Sequence, residues 1–328
     1  MVRLSMPQSR TPVGLLGLGV LTLIGVGVFW PGDPRPVEPI AGPPSVGPDP
    51  LAPAPPSSAD AVLRAESAKR ADRMRRELGD VGSVIDDCPY VVGGNLSAAR
   101  LETVRRDVIR PVARALQAMY FNRRLPEPLR LYLFADETSY RAGARQLFGD
   151  TDVARFGYYR RVGRALLADL STGDGTLVHE LVHALMEPDF PGAPDWFNEG
   201  LGSLYEQCRF EGAKLRGRPN WRLPLLHRAA SSGRLPALAA LFDLDRGRFY
   251  GEGSPEHYAL ARALCLHLEQ RGLLERFYRR FRDRFADDPT GRRQLLEVTQ
   301  SPDLAALELD FHRWLAAVAE EPFPPSGK

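Results

Sequence analysis

The chain is poor in several features that would decide its chemistry at once. It has three cysteines, none in a C-x-x-C spacing, which argues against a cysteine-built zinc site. They allow one disulfide and a leftover thiol: Cys88 and Cys208 are the expected pair because both flank surface element ends, while Cys265 falls in an apolar helical stripe and reads as buried. An excess of charge of one sign is also missing. With 43 basic and 41 acidic residues the net charge is +2, and nothing global points to nucleic acid. The run Arg276, Arg279, Arg280, Arg282 and Arg284 is interleaved with Asp283 and aromatics on a helical period, so it reads as a solvated face. There is no internal repeat. Histidines number only six, so their arrangement carries information.

Two of the six stand in His179-Glu180-Leu181-Val182-His183. A chance H-E-x-x-H is expected in about one such sequence per hundred or fewer. On a helix, positions i and i+4 share a face with Cβ atoms about 5–6 Å apart, so both imidazoles can reach one ion at about 2.0–2.1 Å. Glu180 lies round from them and reaches a metal-bound water as general base. Asp174, Gly175 and Thr176 offer a capping region, Leu177, Val178, Leu181, Val182 and Leu185 an apolar stripe, and Pro188 a stop. Downstream, Asp195 to Glu206 reads as a second helix, with Glu199 and Glu206 seven apart on one face. Glu199 completes three protein ligands and leaves a fourth position for water, as a catalytic zinc requires.

HELVH followed by WFNEGLGSLYE resembles the gluzincin zinc metallopeptidases, and NEGLGSLYE is similar to the NEGFASYVE-type segment of the zinc aminopeptidases. The resemblance covers roughly residues 125–270 and is nearer to small bacterial peptidase-like domains. It implies His179, His183 and Glu199 as ligands of one Zn(2+), Glu180 as general base and later proton donor, and Glu206 as a carboxylate holding a ligand histidine. Fifteen residues separate His183 from Glu199, fewer than in the aminopeptidases, and Pro188, Pro191 and Pro194 make that connection turn back tightly. No G-A-M-E-N-like segment is present to bind a free amine, so endopeptidase is favoured over aminopeptidase. A tetrahedral intermediate also needs an oxyanion donor besides the metal. Ser254-Pro255-Glu256-His257-Tyr258 begins a helix that Gly272 ends, and is similar to the aminopeptidase stretch whose Tyr binds the oxyanion. Tyr258 is the corresponding position; a core aromatic is the competing reading, and His257 is a fallback donor.

Residues 13–30 form an apolar run of 18 residues preceded by Arg3 and Arg10. The expectation is a single-pass membrane anchor with the N-terminus in the cytoplasm and the catalytic domain extracytoplasmic, or secretion if the segment is cleaved. Eleven prolines make 31–57 an extended linker, and 58–79 reads as a charged, solvated helix. The domain then spans 80–322, before a disordered tail at 323–328. Its expected class is α+β, a zincin-like metallopeptidase domain with a small mixed sheet lobe and a C-terminal helical lobe. A helix is expected from Ser97 to about Tyr120, interrupted at Pro111, with strands at 129–134, 157–159 and 165–170. The last is the expected edge strand for an extended peptide. Further helices are expected at 234–243, 254–271, 273–286 and 302–319. The function expected is hydrolysis of a peptide or protein substrate. A non-catalytic zincin-fold scaffold and a zinc hydrolase of a non-peptide amide or ester stay open.

Overall fold

A computed structural model describes residues 58–318. The expected anchor, linker and tail lie outside the described residues. Among the described residues, no helix is long and apolar enough to cross a membrane. This corrects the single-pass expectation.

The class is α+β. Helix α1 (Ser58–Leu78) leads to the hairpin β1 (Ser83–Asp87) and β2 (Tyr90–Gly94), then to α2 (Ala98–Val104) and α3 (Arg110–Met119). Ser97 caps α2 by accepting from the Arg100 N–H at 3.3 Å. The interruption expected at Pro111 takes the form of a π turn over Arg105–Ile109, in which the Arg110 N–H reaches back to the Arg105 carbonyl. Proline has no N–H to return to the preceding turn, so the ladder widens just ahead of it. There follow β3 (Leu129–Phe134), α4 (Glu137–Phe148), β4 (Gly157–Arg160), β5 (Ala165–Asp169) and α5 (Gly175–Met186).

These five strands form one sheet in the order β1-β2-β3-β5-β4. The middle pairs β2–β3 and β3–β5 are parallel, while β1 and β4 run antiparallel on the two edges. Thus β5 is paired on both sides, and the expectation that it forms a docking edge is corrected: the edge next to α5 is β4. Strand periodicity sorts β3 between two cores. Leu129, Leu131 and Leu133 join the main core with α3 and α5, whereas Tyr132 and Phe134 join a second cluster with Ala71 and Met74 of α1 and Tyr140 and Ala144 of α4. Helix α1 is therefore not solvated all round. It buries Ser67, Ala71 and Met74 against the sheet and ties itself there by Ser67 to Asp86 and Arg70 to the Pro128 carbonyl.

The second half is largely helical: α6 (Asp195–Tyr205), the hairpin β6 (Cys208–Glu211) and β7 (Lys214–Gly217), α7 (Leu223–Ser231), α8 (Leu238–Phe242), α9 (Arg246–Phe249), α10 (Ser254–Gln270), α11 (Leu274–Arg284), α12 (Arg292–Thr299) and α13 (Leu304–Ala317). Cys88, Cys208 and Cys265 are all free thiols, which corrects the expected Cys88–Cys208 disulfide. Four of the five arginines of α11 are occupied by neighbours: Arg279 with Glu275, Arg280 with Glu297, Arg282 with Asp189 and Asp283, Arg284 with Asp287.

Candidate metal centre

Helix α5 carries His179 and His183 on one face, one turn apart, with ring centroids 4.7 Å from each other and planes at 78°. Its start differs from expectation. Asp174 is in the αR region and makes no side-chain cap, because its carboxylate is turned to Arg100 at 3.3 Å. The chain between α5 and α6 reverses direction around Asp189. That buried carboxylate accepts the Asn122 and Arg123 N–H groups at 3.0 Å, and the Tyr278 hydroxyl and Arg282 Nη1 at 2.8 Å. Four donors make its burial tolerable, and they lock the turn that sets α6 beside α5.

Helix α6 then brings Glu199 to the histidines. Its Oε2 lies 3.2 Å from His179 Nε2 and 3.5 Å from His183 Nε2, and one ligand atom from each of the three residues falls within 4.8 Å of the others. Asn198 Oδ1 sits 3.1 Å from His183 Nδ1. An amide oxygen only accepts, so Nδ1 donates to Asn198, and Nε2 is the ring nitrogen that faces Glu199 and is left for a metal. Two glycines of α6 make this approach possible on opposite faces. A Cβ on Gly202 would stand 3.1 Å from His179 Nε2 and from His183 Cε1, and one on Gly200 would stand 2.9 Å from the Ala261 carbonyl oxygen and Cys265 Sγ of α10.

The electrostatics suit a cation. Burial would raise the Glu199 carboxyl, but the His183 and His179 imidazoles outweigh it and hold the carboxyl well below its ordinary value. Burial would likewise lower His183, and Glu199 reverses this and raises it to about 9. The Glu199 carboxylate thus keeps a proton on His183, in the place that a bound cation would take. Glu180 is buried on the neighbouring side of α5, where burial pushes its carboxyl up and the Tyr159 backbone of β4 donates to it. A raised proton affinity beside the histidines is what a general base requires. Two imidazoles, one carboxylate and a side-chain-free wall fit a zinc ion.

The other expected residues fall out unevenly. Tyr258, on the first turns of α10, packs on Phe249 at 5.3 Å, lies under the Arg222 guanidinium at 5.9 Å, and is close enough to Glu199 to feel its charge. Burial and Glu199 keep that phenol protonated, so it remains a donor. His257 is turned away, its Nδ1 on the Phe249 carbonyl at 3.0 Å. Glu206 does not hold a histidine. It pairs with Arg222, and the residue on His183 is Asn198, which corrects the expected role. Sequence reasoning missed Asn198 and also Tyr250, whose hydroxyl donates to Glu199 Oε1 at 2.6 Å. Asn198 adjoins Glu199 and was within reach of motif reading; Tyr250 had only its glycine-flanked position between Gly247 and Gly251 to mark it. No protein-family profile and no curated protein matches the chain.

Proposed function

We propose that the chain is a zinc-dependent peptide hydrolase of zincin-like architecture, similar to the gluzincins, and an endopeptidase. The observation that carries this reading is the convergence of His179, His183 and Glu199 within 4.8 Å, with buried Glu180 alongside. Zinc, when bound by these three residues, would supply Lewis acidity and lower the pKa of a water to about 7.

The chain's own groups do the rest. Glu180 takes the proton of the attacking water and returns it to the leaving amine, and burial tunes it for that exchange. Tyr258 supplies the hydroxyl donor for the developing oxyanion. Strand β4 is an edge strand over the same helix, so its unpaired side offers backbone groups to an extended peptide. Tyr159 Oη is held at 3.1 Å by Glu187, which fixes this strand against the end of α5.

Two substitutions test the reading. His183→Ala should lose one equivalent of zinc relative to wild type by elemental analysis. Glu180→Gln should keep that zinc and lose peptide cleavage by at least about 10²-fold, the range of a missing general base. Wild-type protein without zinc, or a Glu180→Gln variant that still cleaves, would sink the proposal.

A further inference from the structure

The two oxygens of Glu199 have different surroundings. Oε2 faces His179 Nε2 and His183 Nε2, whereas Oε1 receives the Tyr250 hydroxyl at 2.6 Å. Tyr250 stands just after α9, far along the chain from α6. Its hydroxyl has one proton and a second carboxylate within reach, Asp195 Oδ1 at 3.3 Å. That same Asp195 oxygen already accepts from Arg246 Nη1 at 3.1 Å, and the Arg246 guanidinium covers the Tyr250 ring at 4.8 Å. With Asp195 served by Arg246, the tyrosine proton is left for Glu199. The ring is held in place by Phe249 at 5.2 Å and Tyr258 at 6.1 Å, and the loop is tied to α10 through His257.

We infer that Tyr250 is a positioning residue for the metal-ligand carboxylate: it occupies Glu199 Oε1, so that Oε2 alone joins the two histidines on the metal. The inference rests on the zinc reading above and deepens it. A carboxylate held by one oxygen gives three protein donors and keeps the remaining position open for water and substrate. A carboxylate free to turn would offer both oxygens and crowd that position. Arg246 and Asp195 act one step further out, by deciding which carboxylate receives the tyrosine proton.

The test uses the full chain and Tyr250→Phe, which keeps the ring and its packing and removes one hydroxyl. Zn(II) affinity is measured by competition with a chelator, and the Co(II)-loaded protein is read by visible absorption and X-ray absorption. The variant should still bind one equivalent, with affinity lower by roughly 10- to 100-fold, the usual effect of losing a hydrogen bond to a ligand. Its Co(II) spectrum should shift to higher coordination as the second carboxylate oxygen enters. Arg246→Gln, at a side chain 39 % exposed and so tolerant of change, should move both readouts the same way by less. Tyr250→Phe with wild-type affinity and spectrum overturns the inference, and so does weaker binding with an unchanged spectrum, because packing alone would explain that. Should Tyr250→Phe fail to fold, an unchanged spectrum and affinity in Arg246→Gln overturns it instead. Wild-type protein that binds neither metal removes the zinc reading itself, a failure seen without any variant.

Discussion

Gly202→Ala should separate folding from metal binding, with effects of opposite sign. The added Cβ would lie 3.1 Å from His179 Nε2, 3.1 Å from His183 Cε1 and 3.2 Å from His179 Cε1. Carbon contacts prefer about 3.5–4.0 Å, so something must retreat by a few tenths of an ångström. Helix α6 cannot, because its opposite face already meets α10 at Gly200, where a Cβ would come within 2.9 Å of a backbone oxygen. The imidazoles must therefore turn. Metal–ligand distances tolerate only about 0.2 Å, so zinc affinity should fall by about tenfold or more. In the metal-free protein, by contrast, alanine replaces glycine inside a helix and stabilises it by about 1 kcal/mol. Thermal unfolding without metal and a zinc titration on the same samples read both quantities. Zinc should raise the melting temperature of wild type more than that of the variant, since stabilisation follows the ratio of free metal to Kd. A variant that gains stability and binds zinc as wild type does would refute the assignment of Gly202 to the site wall. Loss of both would mean general damage to the fold.

Two further outcomes concern the scaffold behind the site. Burial raises the Glu269 carboxyl from 4.5 to about 7, against hydrogen bonds from Tyr205 and the Gly217 N–H. A carboxyl raised on folding contributes stability below its unfolded value, and this is lost as pH climbs through the folded one; the gap corresponds to about 3 kcal/mol. Glu269→Gln should thus match wild type near pH 4 and exceed it by up to about 3 kcal/mol at pH 8 in urea unfolding, whereas parallel pH profiles would contradict the argument. Arg262, buried in α10, donates to the Ser203, Leu204 and Arg218 carbonyls, and burial pushes it down to about 9, so it stays charged at neutral pH. Arg262→Met should leave those carbonyls unpaired and cost about 2–5 kcal/mol; a loss below about 1 kcal/mol in urea unfolding would count against the capping role.

The parts of the fold legible in the sequence were those written locally. The alternation of Leu129–Phe134 marks β3, and Ser254-Pro255 with Gly272 bounds α10, although Gly253 rather than Ser254 occupies the cap. The hairpin β1–β2 was invisible because β2 is buried throughout and so shows no alternation. Strands β6 and β7 are four residues each and charged, which reads as loop. In the site, HELVH and Glu199 were legible because one helix and its neighbour carry them. Glu206 misled because its spacing from Glu199 holds, with helical backbone at the C-cap, while its partner is Arg222, sixteen residues downstream, which helical spacing does not encode. Tyr250 and Arg246 reach the site only through the packing of α9 and α10 against α6, which no local pattern encodes.

Helix α6 explains why so many constraints meet in one short segment. Asp195 faces Tyr250, Asn198 orients His183, Glu199 faces both imidazoles, Gly200 admits α10, Gly202 admits the imidazole rings, and Tyr205 hydrogen-bonds Glu269. These positions point in different directions, so the helix cannot rotate or slide to relieve a change at one without disturbing another. Its C-terminal carbonyls are held by Arg262 and its N-terminal carboxylate by Arg246. A metal ligand carried on such an element is fixed before any ion arrives, which favours tight binding because little ordering remains to be done. The same rigidity means that variants along α6 should differ in kind. Changes on the α5 face should alter metal affinity, and changes on the α10 face should alter folding. Changes at Asp195 should act through the direction of a single phenolic proton.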